Sequence, residues 1–295
     1  MSEALPDLPI LNRTATPPEG LVLVPTPIGN LGDVTIRAIA TLKAADLILC
    51  EDTRVTARLL TAYGISAATA PLHDHNEDQR IPALLERLRG GQRIALVSDA
   101  GTPLVSDPGY RLVRAALEAG LPVSALPGPN AALTALTLSG LPPHPFLFLG
   151  FPPRGGARLA AFAQLRAAER AGLSATMIWY EAPSRAGETL ADLLAAFGDR
   201  PAVLARELTK HFEEIIRAPL SELANRFANA DPRGEVCLLI GPAPAELEDA
   251  DDLDARLRTA LAGATLKQAV ADVTAATGLP RKQVYARALA LAADQ

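Results

Sequence analysis

Short apolar runs alternate with amphipathic stretches along most of this 295-residue chain. Runs such as Leu21–Val24, Leu47–Cys50 and Ile94–Val97 are rich in branched side chains, which is typical of buried parallel strands. Stretches with helical spacing of apolar positions follow them, as at Val34–Lys43, where Asp33 is the expected N-cap. This alternation predicts a parallel α/β domain over residues 20–141.

Apolar runs lie closer together after the proline-rich segment at residues 142–145. The closer spacing predicts a mixed sheet in a second α/β domain over residues 146–242. Its predicted extended segments are Phe146–Leu149, Ala175–Tyr180, Ala202–Leu204, His211–Ala218 and Val236–Ile240.

The two ends of the chain differ from these domains. Residues 1–19 contain four prolines and little pattern, which predicts a disordered lead-in. Residues 243–254 are acidic and are expected to form a linker. Residues 255–295 have helical spacing only and predict a small helical C-terminal module with a helix–turn–helix over 265–291. Its basic side chains favour either an RNA contact or a solvated helix face.

Composition narrows the class of protein. Hydrophobic residues make up 49% of the chain and charged residues 21%, as in folded globular proteins. No apolar run approaches the ~20 residues of a membrane helix. Cys50 and Cys237 lie in apolar runs without CxxC spacing, which predicts buried thiols in a reduced, cytoplasmic protein. The net charge of -5 disfavours a free-standing nucleic-acid binder, so an RNA partner would require a local basic patch.

Polar turns rich in proline and glycine follow most of the predicted strands. Their sequences in chain order are PTPIGN, EDTR, HDHNE, SDAGTP, PGPN, EAPSR and ARE. Ligands of open α/β sheets bind outside the carboxyl ends of the strands, so we expect these turns to converge on a crevice. The turn after Ile94–Val97 is longer than most strand-to-helix connections, and it carries Asp99 and Asp107.

Two common phosphate-binding motifs are absent from the sequence. The chain has no GxGxxG after its first strand and no GxxxxGK[ST]. Their absence disfavours a nicotinamide-dependent oxidoreductase. The turns instead offer backbone N–H and C=O groups, which suit a compact ligand held by the backbone.

Several polar side chains at the strand ends have two interpretations each. His73 and His75 flank Asp74, but no third metal ligand lies nearby, so we interpret the pair as general-base candidates or as part of a helix N-terminal region. The arginines that follow strands suit either a phosphate or a neighbouring carboxylate. These arginines are Arg54, Arg185 and Arg206.

Seven motifs, taken together and in order, resemble one protein family. They are LVLVPTPIGNLGDVTIRA, ILCEDTR, LHDHNE, ALVSDAGTPLVSDPGY, LPGPNAALTAL, YEAPSR and ARELTK, spread over residues 21–210. The set resembles the bacterial small-subunit ribosomal RNA ribose 2′-O-methyltransferases of the tetrapyrrole-methylase superfamily, over nearly the whole chain. The resemblance implies two α/β domains with a cofactor cleft between them, S-adenosylmethionine as the cofactor, and a homodimer. The implied substrate is the ribose 2′-hydroxyl of one cytidine in the decoding region of 16S rRNA, in the small ribosomal subunit.

The same resemblance implies site residues. The cofactor is expected against Pro25, Asp99, Ala100, Gly101, Thr102, Pro103, Pro127, Gly128, Ala131, Tyr180, Glu181 and Glu235. The candidates to accept the hydroxyl proton are His73, His75, Asp52 and Glu207, with Arg54 and Lys210 orienting phosphate. No metal is expected. Ser106–Gly109 is then expected to be a helix entry, which would give Asp99 and Asp107 different roles.

Two other functions stay open at this point. One is methylation of a tetrapyrrole or another small metabolite on the same scaffold. The other is a non-catalytic ribosome-assembly factor that uses the cleft only for binding. The basic strand ends and the basic helical tail favour RNA over a small substrate.

Overall fold

The computed structural model describes residues 17–243, 250–277 and 281–293. The strands are β1 (Leu21–Val24), β2 (Leu47–Cys50), β3 (Thr69–Pro71), β4 (Ile94–Val97), β5 (Val123–Ala125), β6 (Phe146–Phe148), β7 (Thr176–Glu181), β8 (Pro201–Arg206), β9 (Glu214–Pro219) and β10 (Val236–Ile240). The helices are α1 (Ile36–Ala44), α2 (Thr53–Ala62), α3 (Glu77–Arg89), α4 (Tyr110–Glu118), α5 (Ala131–Ser139), α6 (Gly156–Arg170), α7 (Ala186–Phe197), α8 (Leu220–Arg226), α9 (Ala250–Leu261), α10 (Leu266–Thr277) and α11 (Arg281–Ala293).

The first sheet has the strand order β3-β2-β4-β1-β5, and all of its strands are parallel. Apolar side chains cover both of its faces. Along β1, Val22 and Val24 belong to one buried cluster and Leu21 to another. Burial on two faces explains why these strands are continuous apolar runs, and the predicted parallel sheet is confirmed.

The second sheet has the order β6-β7-β10-β8-β9. Strands β6 and β7 are parallel, and the other pairs are antiparallel, so the predicted mixed sheet is confirmed. One face packs on an aromatic cluster in which Phe162 meets Trp179 edge-on, with ring centroids 5.7 Å apart. The other face packs on α5, although α5 follows the first sheet in the chain.

Both sheets lie within one compact unit that ends at Pro242. Ala132, Ala135 and Leu136 of α5 share a buried cluster with Ile28, from the loop after β1, and with residues of β7, β8 and β10. This cluster joins the two sheets. The domain limits of 20–141 and 146–242 therefore stay a prediction, since α5 packs across them.

The second compact unit comprises residues 243–295. Its helices α9, α10 and α11 surround buried Leu257, Val270 and Val284, as expected for a helical module. Helix α9 begins at Ala250, inside the segment predicted to be a linker. The predicted turn at 278–280 and the predicted disorder of residues 1–16 lie outside the described residues.

Local differences from the predicted elements have identifiable causes. The prediction that Asp33 caps α1 is wrong: Val34 is extended, and the Thr35 hydroxyl accepts from the Ala38 N–H at 3.0 Å. The extended segment predicted from His211 begins as a strand only at Glu214. Within the described ranges, no helix has the length and apolar character needed to cross a membrane.

One buried carboxylate holds the start of α4 and the loop before it. Glu77, on α3, is 1% exposed. Its Oε1 accepts from the Leu112 N–H at 2.7 Å, and its Oε2 accepts from the Gly109 N–H at 3.4 Å. Gly109 is the N-cap of α4 and has no side chain of its own to do this. Glu77 therefore supplies the cap from a different helix and favours the dipole of α4.

We expect Glu77→Ala to lower the free energy of unfolding by about 2–4 kcal/mol, because it leaves buried N–H groups without acceptors. The matched control is Asp78→Ala, which removes an exposed carboxylate that also pairs with Arg111. Its loss is expected to be below about 1 kcal/mol. Urea denaturation of both variants measures the difference. Equal losses would contradict the capping role of Glu77.

Candidate active site

The loops after β1 and β4 are locked together at the carboxyl edge of the parallel sheet. The Thr26 N–H donates to the Gly101 carbonyl at 2.9 Å, and the Gly101 N–H donates to the Thr26 carbonyl at 3.0 Å. The Thr26 hydroxyl also donates to the Ser98 carbonyl at 3.0 Å. These bonds give the turn from Ser98 to Gly101 a fixed shape. Asp99, in that turn, therefore has a fixed position.

A cavity of about 410 Å³, called here the first cavity, lies beside this turn. Its volume is within the ~300–1,000 Å³ range of small-molecule sites. Its lining residues are Ile28, Asp99, Ala100, Val105, Ser106, Asp107, Ala131, Phe151, Tyr180, Glu181, Ala182, Pro183, Leu208, Glu235, Val236 and Cys237. Of the residues described, those lining this cavity include carboxylates but no lysine, arginine or histidine.

Burial perturbs the carboxylates at this edge of the sheet. Burial, together with the negative charges of Glu51 and Asp99, raises the pKa of Asp107 to about 7. Burial also raises the pKa values of Asp99 and Glu51. Carboxylates crowded in this way are stabilised by an incoming cation, so the first cavity favours a positively charged ligand over a phosphate.

Two loops with unusual backbone conformations bring apolar side chains to the first cavity. Leu104 and Ser106 both have φ 70°, and they flank Val105. Glu207 and Thr209 have φ 50° and 65°, and they flank Leu208. Left-handed conformations cost non-glycine residues about 1–3 kcal/mol each. Tertiary contacts must hold both loops, and each loop places its central side chain in the cavity wall.

Tyr180 forms the aromatic part of the wall. Its ring meets Phe151 edge-on, with centroids 5.6 Å apart. Its hydroxyl oxygen accepts from the Ala132 N–H at 3.2 Å, near the start of α5. Burial raises the pKa of Tyr180 to about 12, so the phenol stays neutral at ordinary pH. Tyr180 thus ties β7 to α5 across the cavity.

A second cavity, of about 420 Å³, adjoins the first. It is lined by Thr26, Pro27, Ile28, Gly29, Leu31, Val55, Thr56, Arg58, Leu59, Ser98, Asp99, Ala100, Lys210 and Glu235. The residues common to both cavities are Ile28, Asp99, Ala100 and Glu235. The second cavity differs in charge, because it contains the cations of Arg58 and Lys210.

Lys210 is held in place by two carboxylates. Its Nζ donates to Glu207 Oε1 at 2.9 Å and to Glu235 Oε2 at 3.2 Å. Gly29 leaves room for this side chain, since a Cβ at Gly29 would lie 2.5 Å from Lys210 Cγ. A Cβ at Gly234 would likewise lie 1.9 Å from Glu207 Oε1. Both glycines are therefore required for the arrangement around Lys210.

The structure brings half of the predicted cofactor residues together in the first cavity. These are Asp99, Ala100, Ala131, Tyr180, Glu181 and Glu235. The others do not line it: Pro25, Gly101, Thr102, Pro103, Pro127 and Gly128. Some of these hold the loops. The Thr102 hydroxyl donates to the Pro129 carbonyl at 2.9 Å, and a Cβ at Gly128 would lie 2.6 Å from Pro25 Cβ. Cofactor contact at these positions stays a prediction.

The candidate proton acceptors are spread over a wider region. Asp52 caps α2 and binds the Arg54 side chain, which lowers the pKa of Asp52 to about 2. The Asp52 N–H donates to Asp99 Oδ1 at 3.1 Å. His73 and His75 line neither cavity; His73 Nε2 lies 3.1 Å from Asn76 Nδ2. No group of three or more potential metal ligands occurs in the described part of the chain.

The arginines that follow strands are engaged by carboxylates. Arg54 pairs with Asp52 at 2.7 Å, Arg185 with Glu181 at 3.3 Å, and Arg206 with Glu214 at 2.6 Å. Of the two interpretations of these arginines, the structure shows the ion pair with a neighbouring carboxylate. Arg58 and Lys210 provide the cations of the second cavity, and Arg58 was not singled out from the sequence.

Sequence reasoning also missed much of the first cavity. The missed residues are Ile28, Val105, Ser106, Asp107, Ala182, Pro183, Leu208, Val236 and Cys237. Asp107 and Ser106 belong to the segment assigned to a helix entry. The segment does lead into α4, but the left-handed conformations at Leu104 and Ser106 also place Asp107 in the wall. The signal that could have found Asp107 was the second carboxylate on an unusually long loop.

Comparison with known proteins agrees with the motif pattern. The model of the Tetrapyrrole (Corrin/Porphyrin) Methylases matches residues 20–224, and the model of the RsmI C-terminal HTH domain matches residues 247–292. Ribosomal RNA small subunit methyltransferase I of Mesorhizobium japonicum is 46% identical over 274 residues, covering 92% of each chain. The protein of the same name from Micromonospora olivasterospora is 49% identical, covering 90% of this chain and 85% of its own.

Solved structures agree on the fold. A crystal structure of diphthine synthase superposes with a TM-score of 0.58 at 16% identity, covering 75% of this chain and 89% of its own. By its matched family model and by its curated relatives, the chain belongs to the tetrapyrrole (corrin/porphyrin) methylase family.

Proposed function

We propose that this chain transfers a methyl group from S-adenosylmethionine to the ribose 2′-hydroxyl of a cytidine in the decoding region of 16S rRNA. The observation that carries the proposal is a pair of adjoining cavities that differ in charge. The first cavity is lined by carboxylates and the second contains Arg58 and Lys210. The cationic methyl donor suits the first cavity, and the polyanionic RNA acceptor suits the second.

The residues of the first cavity fit the cofactor. S-adenosylmethionine carries a sulfonium and an ammonium group, and Asp99, Asp107 and Glu235 supply the opposite charge. Phe151 and Leu208 supply apolar surface for the adenine. When bound, the cofactor supplies an activated methyl group. The protein therefore has to orient the acceptor and exclude water, and orientation alone contributes up to ~7–11 kcal/mol in ideal cases.

The second cavity suits the ribose and phosphates of an RNA strand. Lys210, fixed between Glu207 and Glu235, presents a positioned ammonium group. Arg58 is exposed and has no ion-pair partner among the described side chains, so its guanidinium is free to bind a phosphate oxygen. Pro27 and Leu31 supply apolar surface beside these cations.

The choice of ribosomal RNA over a small metabolite rests on the relatives and on the C-terminal unit. Proteins named ribosomal RNA small subunit methyltransferase I match nearly the whole chain. The helical unit adds exposed Lys267, Arg281 and Lys282, which a small substrate would not require. We propose that the enzyme acts as a cytoplasmic homodimer on the small ribosomal subunit, and that the C-terminal unit contacts RNA.

Deleting the gene tests the function directly. One cytidine in the decoding region should then lose its ribose methyl group, and a plasmid copy of the gene should restore it. Mass spectrometry of 16S rRNA digests from the parent, the deletion strain and the complemented strain measures the change. Unchanged ribose methylation in the deletion strain would refute the proposal.

Cofactor binding should depend on pH through Asp107. The deprotonated carboxylate attracts a cation, so protonation competes with binding as the pH falls through the Asp107 pKa of about 7. We expect affinity for S-adenosylmethionine to fall by up to ~10-fold per pH unit below that value. Calorimetry from pH 8 to pH 5.5 measures this.

Asp107→Asn is the comparison for that experiment. It should bind S-adenosylmethionine more weakly at pH 8 and lose most of the pH dependence. The comparison cancels titration of the cofactor's own amino group, which is the same for both proteins. Parallel pH profiles for the variant and the wild type would contradict a role for Asp107 in holding the cofactor.

Arg58→Ala should weaken binding of the RNA acceptor alone. Loss of one phosphate contact is expected to raise KM for the small subunit by about 3–10-fold, with a weaker dependence on salt. Affinity for S-adenosylmethionine should be unchanged. The matched control is Arg37→Ala, an exposed arginine on α1 that lines neither cavity. Equal effects of the two substitutions on KM would contradict the assignment of the second cavity.

A further inference from the structure

The wall shared by the two cavities contains the groups that can meet both substrates. Its residues are Ile28, Asp99, Ala100 and Glu235, of which two have titratable side chains. If the cofactor occupies the first cavity and the ribose the second, the methyl group crosses at this wall. A group that accepts the hydroxyl proton must lie within hydrogen-bond reach of the same point.

The two carboxylates of the shared wall differ in their partners. Glu235 is engaged by the Lys210 ammonium at 3.2 Å, and its side chain is 76% exposed. The Lys210 ammonium thus already occupies Oε2 of Glu235. Asp99 is half-buried, and its Oδ1 accepts a hydrogen bond from the Asp52 N–H at 3.1 Å. No described group donates to Asp99 Oδ2, so that oxygen can meet a hydroxyl.

We propose that Asp99 is the proton acceptor of the methyl transfer, an inference that rests on the function proposed above. The ribose 2′-oxygen forms a bond to the methyl carbon as the carbon–sulfur bond breaks. The electron pair of that bond goes to sulfur, which becomes a neutral thioether. The hydroxyl proton goes to Asp99 Oδ2, and water takes it up after the product leaves.

The balance of charge favours this assignment. Before the step, the cofactor holds a positive sulfonium and Asp99 holds a negative carboxylate. After it, both groups are neutral, so the reaction removes a pair of opposite charges inside a half-buried site. The groups that face Asp99 are the Cys50 thiol and the carboxylates of Glu51, Asp52 and Asp107. Burial, and to a lesser extent the negative charge of Asp52, raises the pKa of Asp99, although the hydrogen bond from the Asp52 N–H acts in the opposite direction.

The competing role for Asp99 is a cofactor contact without proton transfer, as the motif comparison implies. Asp99→Asn separates the two, because asparagine keeps the shape and the acceptor for the Asp52 N–H but takes no proton. Three measurements are needed on the full chain. They are calorimetry with S-adenosylmethionine, single-turnover transfer of a tritiated methyl group to small subunits from a deletion strain, and the pH dependence of that rate.

We expect Asp99→Asn to lower the single-turnover rate at saturation by about 100-fold or more. Its affinity for S-adenosylmethionine should fall less than about 10-fold. The wild-type rate should decline as the pH falls through the pKa of Asp99, and the variant should lose that decline. The matched control is Asp46→Asn, since Asp46 Oδ2 accepts from the Arg93 N–H at 2.7 Å but lines neither cavity. It should keep the wild-type rate and pH profile.

Each other outcome has a distinct meaning. If Asp99→Asn loses affinity but keeps the saturated rate and the acidic decline, Asp99 is a cofactor contact and the inference is overturned. A second outcome is that Asp99→Asn loses both rate and folding, seen as a lower melting temperature; in that case formate is added to Asp99→Ala. Restored methyl transfer then supports the loss of a base, and absence of restoration overturns the inference. If the wild type binds S-adenosylmethionine but methylates no subunit, the proposed function fails, and the inference fails with it.

Discussion

The two cavities exist because one apolar cluster holds the two sheets of the first unit against each other. α5 follows the parallel sheet in the chain, yet it buries Ala132 and Leu136 against strands of the mixed sheet. Ile28, from the loop after β1, enters the same cluster and also lines both cavities. A fully buried leucine or isoleucine side chain stabilises a fold by about 1.5–3 kcal/mol. Loss of this packing would separate the carboxyl edge of one sheet from the strand ends of the other.

The two cavities differ in the charged side chains that line them. The described lining of the first cavity includes carboxylates but no lysine, arginine or histidine, so it favours the proposed cationic ligand, and burial strengthens that preference. Lys210 and Arg58 add cations to the second cavity. Glu77 acts at a distance, because its cap on α4 fixes the loop that carries Asp107. In the proposed function, buried carboxylates thus both hold a loop and recognise a ligand.

Much of the fold could be predicted from the sequence, and less of the site. Buried parallel strands need apolar side chains on both faces, so runs such as Ile94–Val97 were visible directly. The place of Asp107 was not visible, because left-handed Leu104 and Ser106 are set by tertiary contacts rather than by residue type. The pairing of Arg206 with Glu214 depends on the register of β8 and β9, for which no local pattern exists.

The central claim is that methyl donor and acceptor meet at the wall formed around Asp99. A crystal structure of the protein with S-adenosylmethionine and a short decoding-region RNA tests it most directly. The account predicts the sulfonium in the first cavity near Asp107, with its methyl carbon facing the second cavity and the ribose hydroxyl within hydrogen-bond distance of Asp99. A methyl group directed away from the second cavity, or a ribose bound elsewhere, would contradict it.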